Sequence, residues 1–132
     1  MSGSSAKIRF LNRAALGYSQ VVEARGGRTI YVAGQVALDE SGNLVGAGNF
    51  KAQTVQVFEN LKARLEEAGA SFKDVVKLNY YLTDASDLQG LRDTRNRYLN
   101  TDNPPASTLV VVKQLFREEF LIEVEAIAVA NE

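Results

Sequence analysis

Residues 49–82 read NFKAQTVQVFENLKARLEEAGASFKDVVKLNYYL, and the hydrophobic period changes midway along them. Val57, Phe58, Leu61, Leu65 and Ala68 recur at helical spacing, while Lys62, Arg64, Glu66 and Glu67 fall mostly on other faces. Asn49 suits the N-cap, because its side chain accepts from a free backbone N–H, and Gly69 suits the position just past the last turn. From Val75 to Leu82 the period becomes two, with Val76, Leu78, Tyr80 and Leu82 on one face. An amphipathic helix running straight into a strand predicts a helix packed on a sheet.

Outward from this unit, Tyr18–Arg25 and Arg28–Gln35 are β-prone runs around Gly26-Gly27. A glycine pair supplies the positive φ angles of a two-residue primed turn, so the spacing predicts a hairpin. Ile8–Leu11 predicts an added edge strand. Asp84 or Ser86 is a cap for a second helix, with a stripe of Leu88, Leu91, Arg95, Tyr98 and Leu99. Asn103-Pro104-Pro105 ends that helix and leads into strands at Ser107–Lys113 and Leu121–Val129. Right-handed crossovers then place both helices on one face of a mixed sheet, an α+β single domain over residues 8–132. Residues 1–7, which begin Met-Ser-Gly-Ser-Ser-Ala, read as a disordered lead-in. The other sheet face carries Tyr31, Leu121, Ile127 and Val129 with no helix to cover them. Such a face predicts burial against another copy of the chain.

Composition narrows the chemistry. The 132 residues hold 15 Lys plus Arg, 16 Asp plus Glu, no histidine and no cysteine, for a formal charge of -1. Disulfides, Cys/His zinc sites, Ser-His-Asp or Cys-His catalysis and thiol nucleophiles are thereby excluded. The charge supplies no basic field for nucleic acid or anionic lipid, and no apolar run is long enough to span a membrane. The expectation is a cytoplasmic protein with neither nucleic-acid nor membrane partners. The acidic pairs Asp39-Glu40, Glu66-Glu67 and Glu118-Glu119 are adjacent in sequence, so their side chains diverge and no metal site is expected.

Glu123 and Glu125 are two apart on a β-prone segment and share one face. On an assembly surface, burial and the neighbouring like charge raise a carboxyl pKa and fit it to move protons through water. On an exposed face, both are solvated or salt-bridged. Tyr18 opens a strand, either as packing or as a phenol closing a pocket. Arg95 on the apolar stripe is either a stem covering apolar surface or a fork for a carboxylate.

Taken together, Leu16–Val21, Tyr31–Gln35, Gln53, Asn60-Leu61, Ala68-Gly69, Val75–Asp84, Pro105-Ala106 and Ile122–Ala128 resemble, in order, the Rid/YjgF family. These are the reactive-intermediate deaminases, some labelled endoribonuclease L-PSP. The resemblance implies a chorismate-mutase-like fold, a homotrimer and small-metabolite clefts between subunits. It also implies cofactor-free hydrolysis of 2-imino or enamine acids to 2-keto acids and ammonia. Carried over by position, it makes Glu123 the residue that positions the attacking water, with Tyr18 and Gly34 forming the cleft. The family's carboxylate-binding arginine follows the Pro-Ala pair, where this chain has Ser107, so the chain resembles a divergent branch. Two functions follow as expectations: hydrolysis with Glu123 activating water and Arg95 replacing the missing clamp, or ligand binding without turnover. Ribonuclease action fits poorly, since there is no histidine and only Arg92, Arg95 and Arg97 form a basic patch.

Overall fold

A computed structural model describes residues 5–132, so part of the expected lead-in lies outside the described residues; Lys7 already belongs to the first strand. The elements are β1 (Lys7–Arg13), β2 (Ser19–Arg25), β3 (Arg28–Gln35), α1 (Phe50–Glu67), β4 (Val75–Leu82), α2 (Leu88–Arg95), β5 (Ala106–Val111) and β6 (Ile122–Ala130). They build one mixed sheet in the order β1-β2-β5-β4-β6-β3. β4 and β5 are parallel, and β6 runs antiparallel between β4 and β3. Each helix therefore joins two parallel strands, as the crossover reading requires.

Local signals act as expected around α1. Asn49 Oδ1 accepts from the Ala52 N–H at 3.0 Å, and Gly69 takes φ +71. Val57, Phe58, Leu61 and Leu65 are fully buried and share one core with Leu78, Tyr80, Leu82, Ile122 and Val124. Phe58 is central, stacked on Tyr98 at 5.2 Å and tilted against Phe72 and Tyr80.

Long-range pairing overturns the hairpin. Gly26 and Gly27 do take φ +66 and +70, yet β2 and β3 do not pair. β2 pairs with β1 from Arg25↔Lys7 to Ser19↔Arg13, closed by a turn in which the Ala14 N–H donates to Tyr18 O. β3 pairs instead with β6, from Arg28↔Ala130 to Gln35↔Val124, which sets Val32 into the core. The N-cap of α2 is Asp87, which accepts from the Gly90 N–H at 2.9 Å, in place of Asp84 or Ser86. A bulge between Val75 and Lys77 turns Val75, not Val76, into the interior.

Much of the expected open face is open. Tyr31 is 77% exposed and Val110 of β5 is exposed on the same face, while Leu121 and Ile127 are half-buried; Leu109 and Val111 are also exposed but face the helix side, like Ser107. Beyond Ala106, which pairs with Ser19, β5 has no strand on its outer side. Val129 is an exception and is buried. Around it, Ala6 donates to Asn131 Oδ1 at 2.8 Å, and Gly27 lies against Ala130.

One buried polar side chain fastens the layers. Gln53 of α1 is fully buried; its Nε2 donates to Gly46 O and Glu119 O at 3.1 and 2.9 Å, and its Oε1 accepts from the Leu121 N–H at 2.9 Å. Replacing it by an apolar residue strands three backbone groups, and each buried orphan costs about 1–3 kcal/mol. Gln53→Leu is therefore expected to lower unfolding free energy by about 3 kcal/mol or more in urea titrations. The exposed neighbour change Lys51→Ala should stay within about 0.5 kcal/mol of the parent.

Candidate functional site

β6 carries both glutamates, and alternation presents them on the face opposite the helices. Their register partners on β4 are Tyr81 for Glu123 and Asn79 for Glu125. Glu125 is engaged: its Oε1 accepts from Tyr81 Oη at 2.6 Å and from Asn79 Nδ2 at 3.2 Å. That bond holds the Tyr81 phenol above its usual pKa. Among the described residues, no side chain bonds the Glu123 carboxyl. Burial first, and the Glu125 charge second, raise its pKa above the ordinary glutamate value.

Glu123 also has a close neighbour without a side chain. A Cβ placed on Gly34 would fall within the Glu123 carboxyl group, so only glycine leaves room for that carboxyl here. The Gln53–Leu121 bond fixes the chain two residues before Glu123. Gly34 also lines a groove of about 660 Å³ between the end of β3 and α1, with Asn60 and Gln56 among its other residues. Asn60 Nδ2 donates to Val36 O and Leu38 O, both at 2.9 Å, and so holds the segment that follows Gly34.

Tyr18, Arg95 and Ser107 come together elsewhere. They line a cavity of about 260 Å³ between α2, β5 and the β1–β2 turn, together with Tyr80 and Arg92. Ser107 pairs in register with Leu78, a core residue, so it faces the helices and lies on the opposite side of the sheet from Glu123. Arg95 reaches the cavity from α2; its Nη2 donates to Leu16 O at 3.3 Å and its Nε to Asn96 Oδ1 at 3.2 Å. A Cβ on Gly17 would stand 2.6 Å from Arg95 Nη2, and Gly17 also has φ +88. Burial pulls the Arg95 pKa below its usual value. At the interior end, Tyr80 is 3% exposed and its hydroxyl has no hydrogen-bond partner. The same burial pushes its pKa well up.

The five residues singled out in the sequence thus form two groups on one chain: Gly34 with Glu123, and Tyr18 with Arg95 and Ser107. Sequence reasoning missed three supporting residues. Tyr80 read as core, Arg92 as part of a surface patch, and Gln53 only as a position in a resemblance. Tyr80 and Arg92 were visible as a strand tyrosine and as the residue one turn before Arg95, but nothing local marked either as lining a cavity. Among the described residues, no group of three or more carboxylates could hold a metal ion, and no helix is long and apolar enough to cross a membrane.

Comparison with known proteins is consistent throughout. Residues 11–130 match the family model described as Endoribonuclease L-PSP. A RutC family protein of Pyrococcus abyssi is 45% identical over 112 residues, covering 84% of each chain. A 2-iminobutanoate/2-iminopropanoate deaminase of Dermatophagoides farinae is 30% identical over 112 residues, covering 85% of this chain and 84% of that protein. A crystal structure of a Rid family protein from Yersinia pestis, described as of unknown function, superposes with a TM-score of 0.81 at 36% identity, covering 92% and 98% of the two chains. With its mixed sheet and two helices, and with near-full-length matches of sequence and structure, the chain belongs to the endoribonuclease L-PSP family, the Rid/YjgF proteins.

Proposed function

We propose that the protein hydrolyses a small imine or enamine in clefts between copies of the chain, with Glu123 activating the water. The observation that carries this reading is the contrast between two neighbouring carboxylates. Glu125 is spoken for by Tyr81 and Asn79, whereas Glu123, beside Gly34, has both oxygens available for water. A raised pKa makes its ionised form a stronger base.

In the proposed reaction the water oxygen bonds to the imine carbon while the Glu123 carboxylate takes a water proton. With the imine nitrogen protonated at the outset, this gives a neutral carbinolamine. Glu123 returns its proton to that nitrogen, the C–N bond breaks with its electron pair leaving on ammonia, and the hydroxyl proton passes to water as the carbonyl forms. Arg95 holds the substrate carboxylate in place of the family arginine, and Ser107 and Tyr18 supply neutral donors. Glu123 and Ser107 face opposite sides of the sheet, so one chain does not bring the two groups together. A homotrimer, with the open face of one copy against its neighbour, supplies the missing juxtaposition. The deaminase similarity at 30% identity supports the reaction class. Binding without turnover is the second reading, favoured by the neutral Ser107 where a guanidinium would stand.

Freshly generated 2-iminobutanoate and 2-iminopropanoate test the reading. Glu123→Ala is expected to lower kcat/KM by about 10²–10⁴-fold, and a wild-type rate equal to the mutant's would leave binding alone. Arg95→Ala is expected to raise KM for carboxylate substrates by about tenfold or more. The pH profile follows from Glu123. Since its pKa is raised, kcat/KM rises with pH along a limb centred above the usual glutamate value, and Glu123→Gln lacks that limb. The linked stability change has the opposite sense. A raised folded-state pKa favours the fold at acid pH, and this contribution fades as pH rises through that pKa. Denaturation midpoints of wild type relative to Glu123→Gln should therefore fall between acid and neutral pH.

A further inference from the structure

Arg92 and Arg95 stand one turn apart on α2, and both line the cavity that contains Tyr18, Tyr80 and Ser107. They also line a second, adjoining hollow of about 310 Å³ with Arg13 and Gln89. No aspartate or glutamate lines either space. Neither guanidinium belongs to an ion pair among the described residues, and the Arg92 side chain donates to no protein acceptor there. Arg95 spends two of its donors on Leu16 O and Asn96 Oδ1, which leaves its Nη1 unused.

Residues three apart on a helix are neighbours, so two like charges here repel, and partial burial removes the water that would screen them. Among the described residues no carboxylate relieves the pair, and the acceptors that serve Arg95 are neutral. The buried Tyr80 hydroxyl at the interior end of the same cavity likewise lacks an acceptor. Two cations and one hydroxyl donor border a space whose protein acceptors, Leu16 O and the Tyr18 and Ser107 hydroxyls, carry no charge to match them. An anionic ligand carrying two charges satisfies all three.

Size limits the choice. A volume of about 260 Å³ lies just below the range of drug-sized ligand pockets, which suits a metabolite of a few carbons. We propose that this cavity selects a short 2-oxo or 2-imino dicarboxylate over a monocarboxylate, with Arg95 holding one carboxylate, Arg92 the other, and Tyr80 donating from the interior end. The inference rests on the reading of the cavity as the carboxylate-binding half of the site, and it names the substrate class for that site. The reaction supplying the 2-imino form would be a two-electron oxidation of an acidic amino acid, or β-elimination from one that carries a β-leaving group.

Calorimetric titration of the full chain with 2-oxoglutarate and 2-oxopentanoate tests the proposal, since the second acid keeps the carbon skeleton and lacks one carboxylate. 2-Oxoglutarate is expected to bind about ten- to a hundredfold tighter, and Arg92→Gln to erase that ratio. Should Arg92→Gln not fold, Arg92→Lys keeps the charge without the fork and should give an intermediate ratio. Tyr80→Phe is expected to bind 2-oxoglutarate about tenfold more weakly, and unchanged binding removes the hydroxyl from the site. Equal affinity for the two acids, or a preference that survives Arg92→Gln, overturns the proposal. If Arg95→Gln then still weakens both acids, the carboxylate-binding half of the site stands without it. Binding of neither acid overturns both readings, and inorganic phosphate binding tighter than 2-oxoglutarate reassigns the cavity to a phosphoryl ligand and overturns the dicarboxylate.

Discussion

A single buried amide, Gln53, sets the distance between the helical layer and the strand on which the proposed chemistry depends. Its three hydrogen bonds reach the loop before α1, the carbonyl of Glu119 and the N–H of Leu121. The last of these lies at the threshold of β6, so the phase in which β6 enters the sheet is fixed from the helix side. A slip of one residue would exchange Glu123 with Val124, turning a carboxylate into the core and an apolar side chain outward. The helix, the sheet and the acid are thus held by one side chain whose own burial is tolerable only because every partner is present.

Sheet alternation then divides the polar residues between two sides. Lys77, Asn79, Tyr81, Glu123 and Glu125 share the face away from the helices, while Tyr80 and Ser107 share the face toward them. A thin layer of β-structure separates the acid from the cations, which keeps Glu123 from pairing with Arg95 and quenching both. In the proposed reaction each group therefore waits on a neighbouring copy of the chain. The exposed Val110 of β5 and the 77% exposed Tyr31 supply, on the Glu123 side, the kind of apolar surface through which a neighbouring copy can bring the two together.

The parts legible in the sequence were those written in local chemistry. Asn49 and Gly69 bracket α1 because capping depends on residues within one turn, and period two placed Glu123 and Glu125 on a shared face before any partner was known. Gly26-Gly27 misled for the same reason: its φ angles obey the local rule, but strand partners are chosen by burial over the whole chain, and β6 offered β3 the better surface. Val129 is buried where the strand pattern left it open, at the end of β6 where Ala6 bonds to Asn131. The cavity was the least visible part. Arg92 and Tyr80 belong to different elements, and no spacing rule connects a helix arginine to an unpaired hydroxyl on a strand.

Two glycines share a logic that bears on how such a protein can change over generations. At Gly17 and at Gly34 the volume that a side chain would fill is taken by the charged end of another residue, Arg95 in one place and Glu123 in the other. A mutation at either glycine would displace that charged group before it disturbed the core, so the two proposed site groups are exposed to loss at positions that carry no functional group. The reverse also holds. Once the room exists, the charge that occupies it can come from a different element of the chain, which is what the proposed role of Arg95 on α2 requires.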